Sequence, residues 1–335
     1  MRDWGRVRRI IEAGAGFVVT SHVYPDGDSI GSTLAMLRLL GSMGKRAAGI
    51  LPCPLPPAYR FLAGSGSLMA YRPSHDALIG AADAVFMLDA STNDRLGDVG
   101  AAARRLGARR VCIDHHPGNA VEAEVRAVDT RACSTAQLIY ELYGACGRRI
   151  DRHAALAIYT GIHTDTVSFN FLGTDAATHE IAADLLRKGV EPKSAWLSLY
   201  GHDSPRLLRL AGLTLAGLRT AAGERIAWMT VRERDWRRLR VDPKETESFA
   251  RYPLTIDGVG VIAVFCEEGI GRVRVSLRAL DRTDVGGIAR SFGGGGHRSS
   301  AGALISAPLG TAASLVIGAL RRAAGRNTGR RGGRL

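Results

Sequence analysis

No apolar run in this chain approaches the roughly 20 residues that a helix needs to span a bilayer, so no membrane-spanning helix is expected. The opening stretch, Met1 to Glu12, carries basic residues but lacks an apolar core and a small-residue cleavage site. A signal peptide is therefore not expected there. Paired C-x-x-C spacings are missing as well. The five cysteines, Cys53, Cys112, Cys133, Cys146 and Cys266, lie scattered along the chain. That pattern disfavours a zinc knuckle and fits a reduced cytoplasm. No internal repeat is visible. Acidic residues are in the minority, 32 Asp and Glu against 45 Lys and Arg, for a formal net charge of +13.

The remaining composition is that of a soluble globular protein, with 46% hydrophobic and 23% charged residues. A length of 335 residues suggests two domains, each able to bury its own core. The basic excess fits an anionic partner, and equally an Arg-rich composition set by genomic base content. The tail Arg321 to Leu335 holds six Arg and four Gly. It is expected to be a disordered basic tail from 326 to 335, touching nucleic acid loosely or simply solvated.

One stretch organises the rest: Ser21-His22-Val23-Tyr24-Pro25-Asp26-Gly27-Asp28-Ser29-Ile30-Gly31-Ser32. Ahead of it, Phe17 to Thr20 is a short β-branched run expected to form a buried strand. Behind it, Leu34, Leu37 and Leu40 or Gly41 recur at helical spacing from Ile30 to Met43. His22, Asp26 and Asp28 are thus predicted on a loop at the carboxyl end of a strand, where open α/β sheets bind ligands. Ala84 to Leu88 is a second apolar strand ending at Asp89. Arg110 to Ile113 is a third, ending at Asp114-His115-His116. Helices are expected over Ser134 to Leu142, with Ser134 as cap, and over Asp151 to His163, which delivers Asp165. Strands alternating with helices predict a doubly wound, mainly parallel sheet.

Beyond Thr178 to Lys188, one or two helices from Pro192 to Thr220, broken near Ser204-Pro205, suit a connector. A smaller mixed-sheet α/β domain is expected to follow. The expected division is 1–190, a helical linker 191–222, and 223–325. Within the second part, Val273, Val275 and Leu277 alternate with Arg272, Arg274, Ser276 and Arg278, so Arg278 belongs to the polar face of its strand. Gly293-Gly294-Gly295-Gly296-His297 follows a short apolar segment.

His22, Asp26, Asp28, Asp89, Asp114, His115, His116 and Asp165 collect on one predicted rim. Carboxylates with imidazoles suit Mn²⁺, Mg²⁺ or Zn²⁺, and no thiolate stands near these motifs to make a structural zinc site. Four carboxylates, Asp26, Asp28, Asp89 and Asp165, nearly balance two divalent ions. A pair of ions about 3.5–4 Å apart is a known device for phosphoester hydrolysis. Taken singly, Asp28 would also serve as a helix N-cap and Asp89 as a turn cap. The glycine run suits close backbone approach to an anion, or a flexible turn.

In combination these residues resemble the DHH phosphoesterase family. His22-x-x-Pro25-Asp26-Gly27-Asp28, Asp89, Asp114-His115-His116 and Asp165 match its motifs in order. The glycine run with His297, followed by Ala301-Gly302, resembles the DHHA1 substrate domain. Domain order and length are similar to the nanoRNase and pAp phosphatase subfamily, the bifunctional oligoribonucleases and PAP phosphatases. The resemblance implies two Mn²⁺ per chain, with Mg²⁺, Co²⁺ or Zn²⁺ as alternatives. It implies that His22, Asp26 and Asp89 hold one ion, that Asp28, Asp89, His115 and Asp165 hold the other, and that Asp89 bridges. His116 would touch the scissile phosphate, and Asp114 would orient the histidines. Gly294, Gly295, Gly296, His297 and Arg278 would bind substrate across an interdomain cleft. The implied activity is hydrolysis of short single-stranded RNA or DNA, of 3′-phosphoadenosine 5′-phosphate (pAp), or of linear or cyclic dinucleotides. A pyrophosphatase or exopolyphosphatase and a non-catalytic nucleotide sensor are the alternatives. A cytoplasmic setting without membrane partners is expected, and a homodimer is left open. One departure stands out. Relatives read Asp-Thr-Gly-x-Phe-Arg at the fourth motif, whereas this chain reads Asp165-Thr166-Val167-Ser168-Phe169-Asn170.

Overall fold

The fold is that of a computed structural model, which describes residues 3–62, 68–170, 173–296 and 298–327. It divides into two compact units, Met1–His202 and Asp203–Leu335. The first unit opens with α1 (Trp4–Ala13), β1 (Gly16–Thr20), α2 (Gly27–Ser42), β2 (Arg46–Leu51) and β3 (Leu68–Ala70). It continues with α3 (Asp76–Gly80), β4 (Ala84–Leu88), α4 (Gly97–Arg105), β5 (Arg110–Asp114) and β6 (Val125–Val128). Four helices close it: α5 (Thr135–Ala145), α6 (Arg152–Asp165), α7 (Ala176–Arg187) and α8 (Pro192–Tyr200).

The six strands form one parallel sheet in the order β3-β2-β1-β4-β5-β6. Both faces are covered, which explains the continuous apolar runs. Along β4, Ala84, Phe86 and Leu88 enter the core under α2, α5 and α6, while Val85 and Met87 enter the opposite core with Val99 and Ala102 of α4. The chain winds from β1 toward β2 on one side and from β4 toward β5 on the other. The carboxyl ends of β1 and β4 therefore flank a topological switch point, the place where such sheets open a crevice.

Close helix packing fixes what sits above that crevice. A Cβ on Gly31 of α2 would lie 2.3 Å from the carbonyl oxygen of Ala157 in α6. Only glycine allows the two backbones to approach this closely. Arg38 of α2 donates to Asp151 at 2.6 and 2.9 Å, and Asp151 also caps α6 by accepting from Ala154 N at 2.8 Å.

The second unit holds α9 (Pro205–Ala216), β7 (Arg219–Ala221), β8 (Ile226–Val231) and α10 (Glu233–Leu239), then a 3₁₀ stretch, Pro243–Thr255. After these come β9 (Val261–Glu267), β10 (Arg272–Ala279), α11 (Val285–Arg290), β11 (Gly295–Gly296), β12 (Ser300–Ser306) and α12 (Leu309–Asn327). Its sheet runs β11-β12-β10-β9-β8-β7, with β8 and β9 parallel and the other pairs antiparallel. Val273, Val275 and Leu277 are buried as their alternation requires. Among the described residues no helix is long and apolar enough to cross a membrane.

Gly31→Val is expected to destabilise the protein by about 1–3 kcal/mol through overpacking. Gly41→Ala on the same helix, where nothing lies within 4 Å of a built Cβ, should be neutral or slightly stabilising. Urea denaturation of both variants checks the contrast; an unshifted Gly31→Val midpoint contradicts it.

Candidate metal centre

Each loop at the switch point starts where a buried strand ends. β1 delivers His22, β4 delivers Asp89, and β5 delivers Asp114, His115 and His116. Asp89 adopts a left-handed φ of 57°, which aspartate tolerates better than most residues, and which turns the chain sharply at the rim. Asp26, rather than Asp28, is the N-cap of α2: it accepts from Ser29 N at 3.0 Å. The helix begins at Gly27, earlier than its apolar spacing shows, so Asp28 already lies in the first turn. Its carboxylate instead accepts from Thr135 N at 2.7 Å and Ala136 N at 2.8 Å. Those donors are the free N–H groups at the start of α5, where the helix dipole also favours a negative charge.

Among the described residues the side chains converge in three groups, one of them Asp89, His115 and His116. His22, Asp26 and Asp89 form another, and Asp28, His115 and Asp165 the third; within each, donor atoms lie within 4.8 Å of one another. Asp89 links them. One of its oxygens is 3.4 Å from His22 Nε2 and the other is 3.8 Å from His115 Nε2. His115 Nε2 is also 3.3 Å from Asp165 Oδ2 and 3.9 Å from Asp28 Oδ2. Most of these separations are too long for hydrogen bonds and suit donors about 2.0–2.2 Å from a shared ion. His115 Nδ1 lies 3.2 Å from the Ala132 carbonyl, which accepts its proton, leaving Nε2 buried, aimed at the carboxylates and without a hydrogen-bond partner. That is the tautomer a ligating histidine needs. The donor set fits a divalent cation with mixed oxygen and nitrogen ligands.

A second layer holds this cluster in place. His116 Nδ1 lies 2.6 Å from Asp114 Oδ1, and Asn119 Nδ2 donates to Asp114 Oδ2 at 2.6 Å. Thr135 Oγ1 donates to Asp89 at 3.0 Å. Thr135 and Asn119 are not singled out by sequence reasoning. The helix start at Ser134 is legible, but local sequence does not say which carboxylate its N–H groups will meet. The fold also brings a thiol close, contrary to the sequence expectation. Burial, with the charges of Asp28 and Asp165, pushes the Cys133 thiol up to about 11.

Without a cation the cluster is electrostatically uncomfortable. Burial, and then the neighbouring carboxylates, hold Asp89 well above the usual carboxylate range. Burial raises Asp28 to about 6 and Asp165 to about 8, the latter against the opposing pull of His115. Burial lowers His22 to about 4. Burial opposes the charged form of His115, but Asp165, Asp28 and Asp114 outweigh it and raise the group. Asp114 goes the other way: burial opposes its charge, but the His116 and Asn119 contacts win and hold it at about 2.

Past Asp165 the chain makes an unusual turn. Val167, Ser168 and Phe169 have φ of 49°, 60° and 64°, all left-handed. A β-branched residue such as Val167 is strained in that conformation. Phe169 secures the turn through ring contacts with Tyr159, His163 and His179 at 6.0, 5.8 and 5.3 Å between centroids.

The substrate-side residues expected from sequence belong to the second unit. Arg278, the last but one residue of β10, lies opposite Ser300 of β12, half-buried, and donates to the Leu277 carbonyl at 2.9 Å. Gly294 precedes β11, and Gly295 and Gly296 form it as an edge strand on β12. At Gly296, φ is 134° and a Cβ would lie 2.5 Å from Ala301 Cα, so this glycine is required by packing rather than by looseness. His297 lies outside the described residues, as do positions 328–335 of the basic tail.

Residues 16–162 match the DHH family, N-terminal domain, and residues 226–325 match the DHHA1 domain. The chain belongs to the DHH/DHHA1 phosphoesterase family. Among its family relatives is the bifunctional oligoribonuclease and PAP phosphatase NrnA of Thermus thermophilus, 29% identical over 309 residues, with 91% of this chain and 90% of the relative covered. The cyclic-di-AMP phosphodiesterase GdpP of Geobacillus thermodenitrificans is 26% identical over 321 residues, covering 90% of this chain but 46% of GdpP. A crystal structure of an exopolyphosphatase-related protein from Bacteroides fragilis superposes with a TM-score of 0.89 at 26% identity, over 95% of both chains.

A pH dependence follows from the carboxylates. His22 acts in the opposite sense near pH 6.5, where its unfolded form still holds about half a proton, but that contribution fades by about pH 7.5 and is outweighed by the carboxylates. Asp165, Asp89 and His115 still hold more protons in the folded state than in the unfolded one, so metal-free stability must fall as pH rises from 6.5 to 8. Melting midpoints in EDTA should therefore decline over that window, and Asp165→Asn should flatten the decline. A flat or rising wild-type curve contradicts this.

Proposed function

We propose that the chain is a two-metal phosphoesterase acting on short oligonucleotides, on pAp, or on linear or cyclic dinucleotides, with Mn²⁺ as its working ion. The observation that carries this reading is that Asp89 groups with His22 and Asp26 on one side and with His115 on the other, where His115 also groups with Asp28 and Asp165. In it, His22, Asp26 and Asp89 hold one ion, and Asp28, Asp89, His115 and Asp165 hold the other. When bound, paired divalent ions make water acidic enough to attack near neutral pH and take up charge on the phosphate oxygens.

The chain's own residues prepare that step. The α5 N-terminus fixes Asp28, and Thr135 fixes Asp89, so the carboxylates need no reorganisation as substrate arrives. Asp114 sets the ring orientation of His116, which contacts the scissile phosphate. Arg278, the Gly294–Gly296 segment and His297 hold a distal phosphate or base. Asn170, where relatives carry a cation, weakens one phosphate contact and shifts preference among nucleotides. Substrate class is supported by the near full-length match to a relative named as an oligoribonuclease and PAP phosphatase. Five free cysteines suit a reducing, cytoplasmic setting.

The exopolyphosphatase alternative rests on the name of the Bacteroides neighbour. The DHHA1 domain, with its glycine segment, favours a nucleotide over bare phosphate. The sensor alternative is disfavoured because every ligand position of the motif is filled. Purified protein with Mn²⁺ should hydrolyse pAp and a labelled dinucleotide or five-mer much faster than pyrophosphate. Asp89→Asn should lower that rate by about 10³ or more, the scale of losing a preorganised electrostatic group, with the metal-free fold retained. Turnover confined to pyrophosphate, or full activity of Asp89→Asn, overturns the assignment.

A further inference from the structure

The second unit carries a basic notch that the metal centre does not use. In the sheet, β7 pairs with β8 only from Arg219↔Trp228 to Ala221↔Ile226. The last half of β8, Met229 to Val231, therefore has β9 on one side and no strand on the other. A cavity of about 610 Å³ opens at that place. Leu213 of α9 and Gly217 just beyond it are its apolar lining, and Thr230, Arg219, Arg232, Arg234 and Arg238 line it as well.

Charge in the notch is unbalanced. Its one carboxylate, Asp235, is shared by Arg234 and Arg238 at 3.8 Å each. Among the described residues, Arg219 and Arg232 have no carboxylate partner, and both are exposed. Four guanidiniums facing one carboxylate repel one another until an anion joins them. Guanidinium forks match phosphate oxygens in pairs, and an open sheet edge adds backbone donors. The volume is that of a small-ligand pocket, and the apolar side offers a surface for a sugar or base.

We propose that this notch is a second anion site, which holds the phosphate groups of a nucleotide ligand independently of the carboxylate cluster. The phosphate comes either from a free small nucleotide or from the backbone of a short oligonucleotide, and the chemistry recognised is the same.

The test is binding by the full chain in EDTA, where the carboxylate cluster carries no cation to attract phosphate. The probes are a fluorescent 12-nucleotide oligoadenylate and pAp as its competitor. Arg219→Ser/Arg232→Ser should weaken binding at least about fivefold. It should also cut the salt dependence of log K by about 1, since each phosphate contact on a single strand contributes about 0.7. Arg234→Ser/Arg238→Ser is an independent pair with the same expected loss, should the first fold poorly. Arg9→Ser/Arg148→Ser, exposed positions in the first unit, removes the same charge and should leave affinity within about twofold. Loss for the oligonucleotide alone identifies a strand backbone as the ligand, and loss for pAp identifies the free nucleotide. Unchanged affinity and salt slope for both probes in both notch variants overturn the proposal. Because binding is read without metal, a wild type that binds but, given Mn²⁺, hydrolyses neither pAp nor a dinucleotide or five-mer refutes the proposed function and not the notch.

Discussion

Placing carboxylates side by side out of water is unfavourable, and the first unit does so around one residue. Asp89 stands in a left-handed turn at the end of β4, buried, with an imidazole near each of its oxygens and four further carboxylates raising its pKa. The rest of that unit can be understood as what makes this tolerable. The close crossing of α2 and α6 at Gly31 brings Asp28 and Asp165 over the switch point. The free N–H groups of α5 neutralise part of Asp28, and Asn119 and His116 hold Asp114 charged. The charge left over is what a divalent cation would balance.

Much of this was legible in the chain itself. The strands β1, β4 and β5 are apolar runs buried on both faces, so their carboxyl ends, and the residues just beyond them, could be located without coordinates. Parallel topology then gathers those ends on one rim. Ser134 and Asp151 announced their helices because a cap followed by an apolar face is a local signal. What depends on partners distant in sequence was not legible. Asp28 resembles a cap by position, and only the approach of α5 shows that it serves another helix. Cys133 is far from the motifs in sequence and near them in space. The short strands β3, β6 and β7 carry too few residues for a period to show, and α10 buries none of its residues and is tied instead to Glu267 by Glu233 N and Trp236 Nε1.

The turn after Asp165 shows a local rule broken beside the cluster. Three successive non-glycine residues are left-handed there, one of them the β-branched Val167. Rings around Phe169 supply contacts that offset part of the strain. The second unit follows ordinary alternation in β10, and its glycine segment is explained by close packing on β12 as much as by ligand approach. Its distinctive feature is electrostatic, an arginine-lined opening at the place where the edge strand stops short.

The central claim is that residues from four separate places in the sequence form one site for two cations that share Asp89. Counting bound Mn²⁺ by equilibrium dialysis against the metal-free chain, with electron paramagnetic resonance of the loaded protein, addresses it directly. The account predicts two ions per chain with the broadened, coupled spectrum of a close pair, and at most one tightly held ion in Asp89→Asn. One isolated ion in the wild type, or two uncoupled ions unaffected by Asp89→Asn, would contradict it.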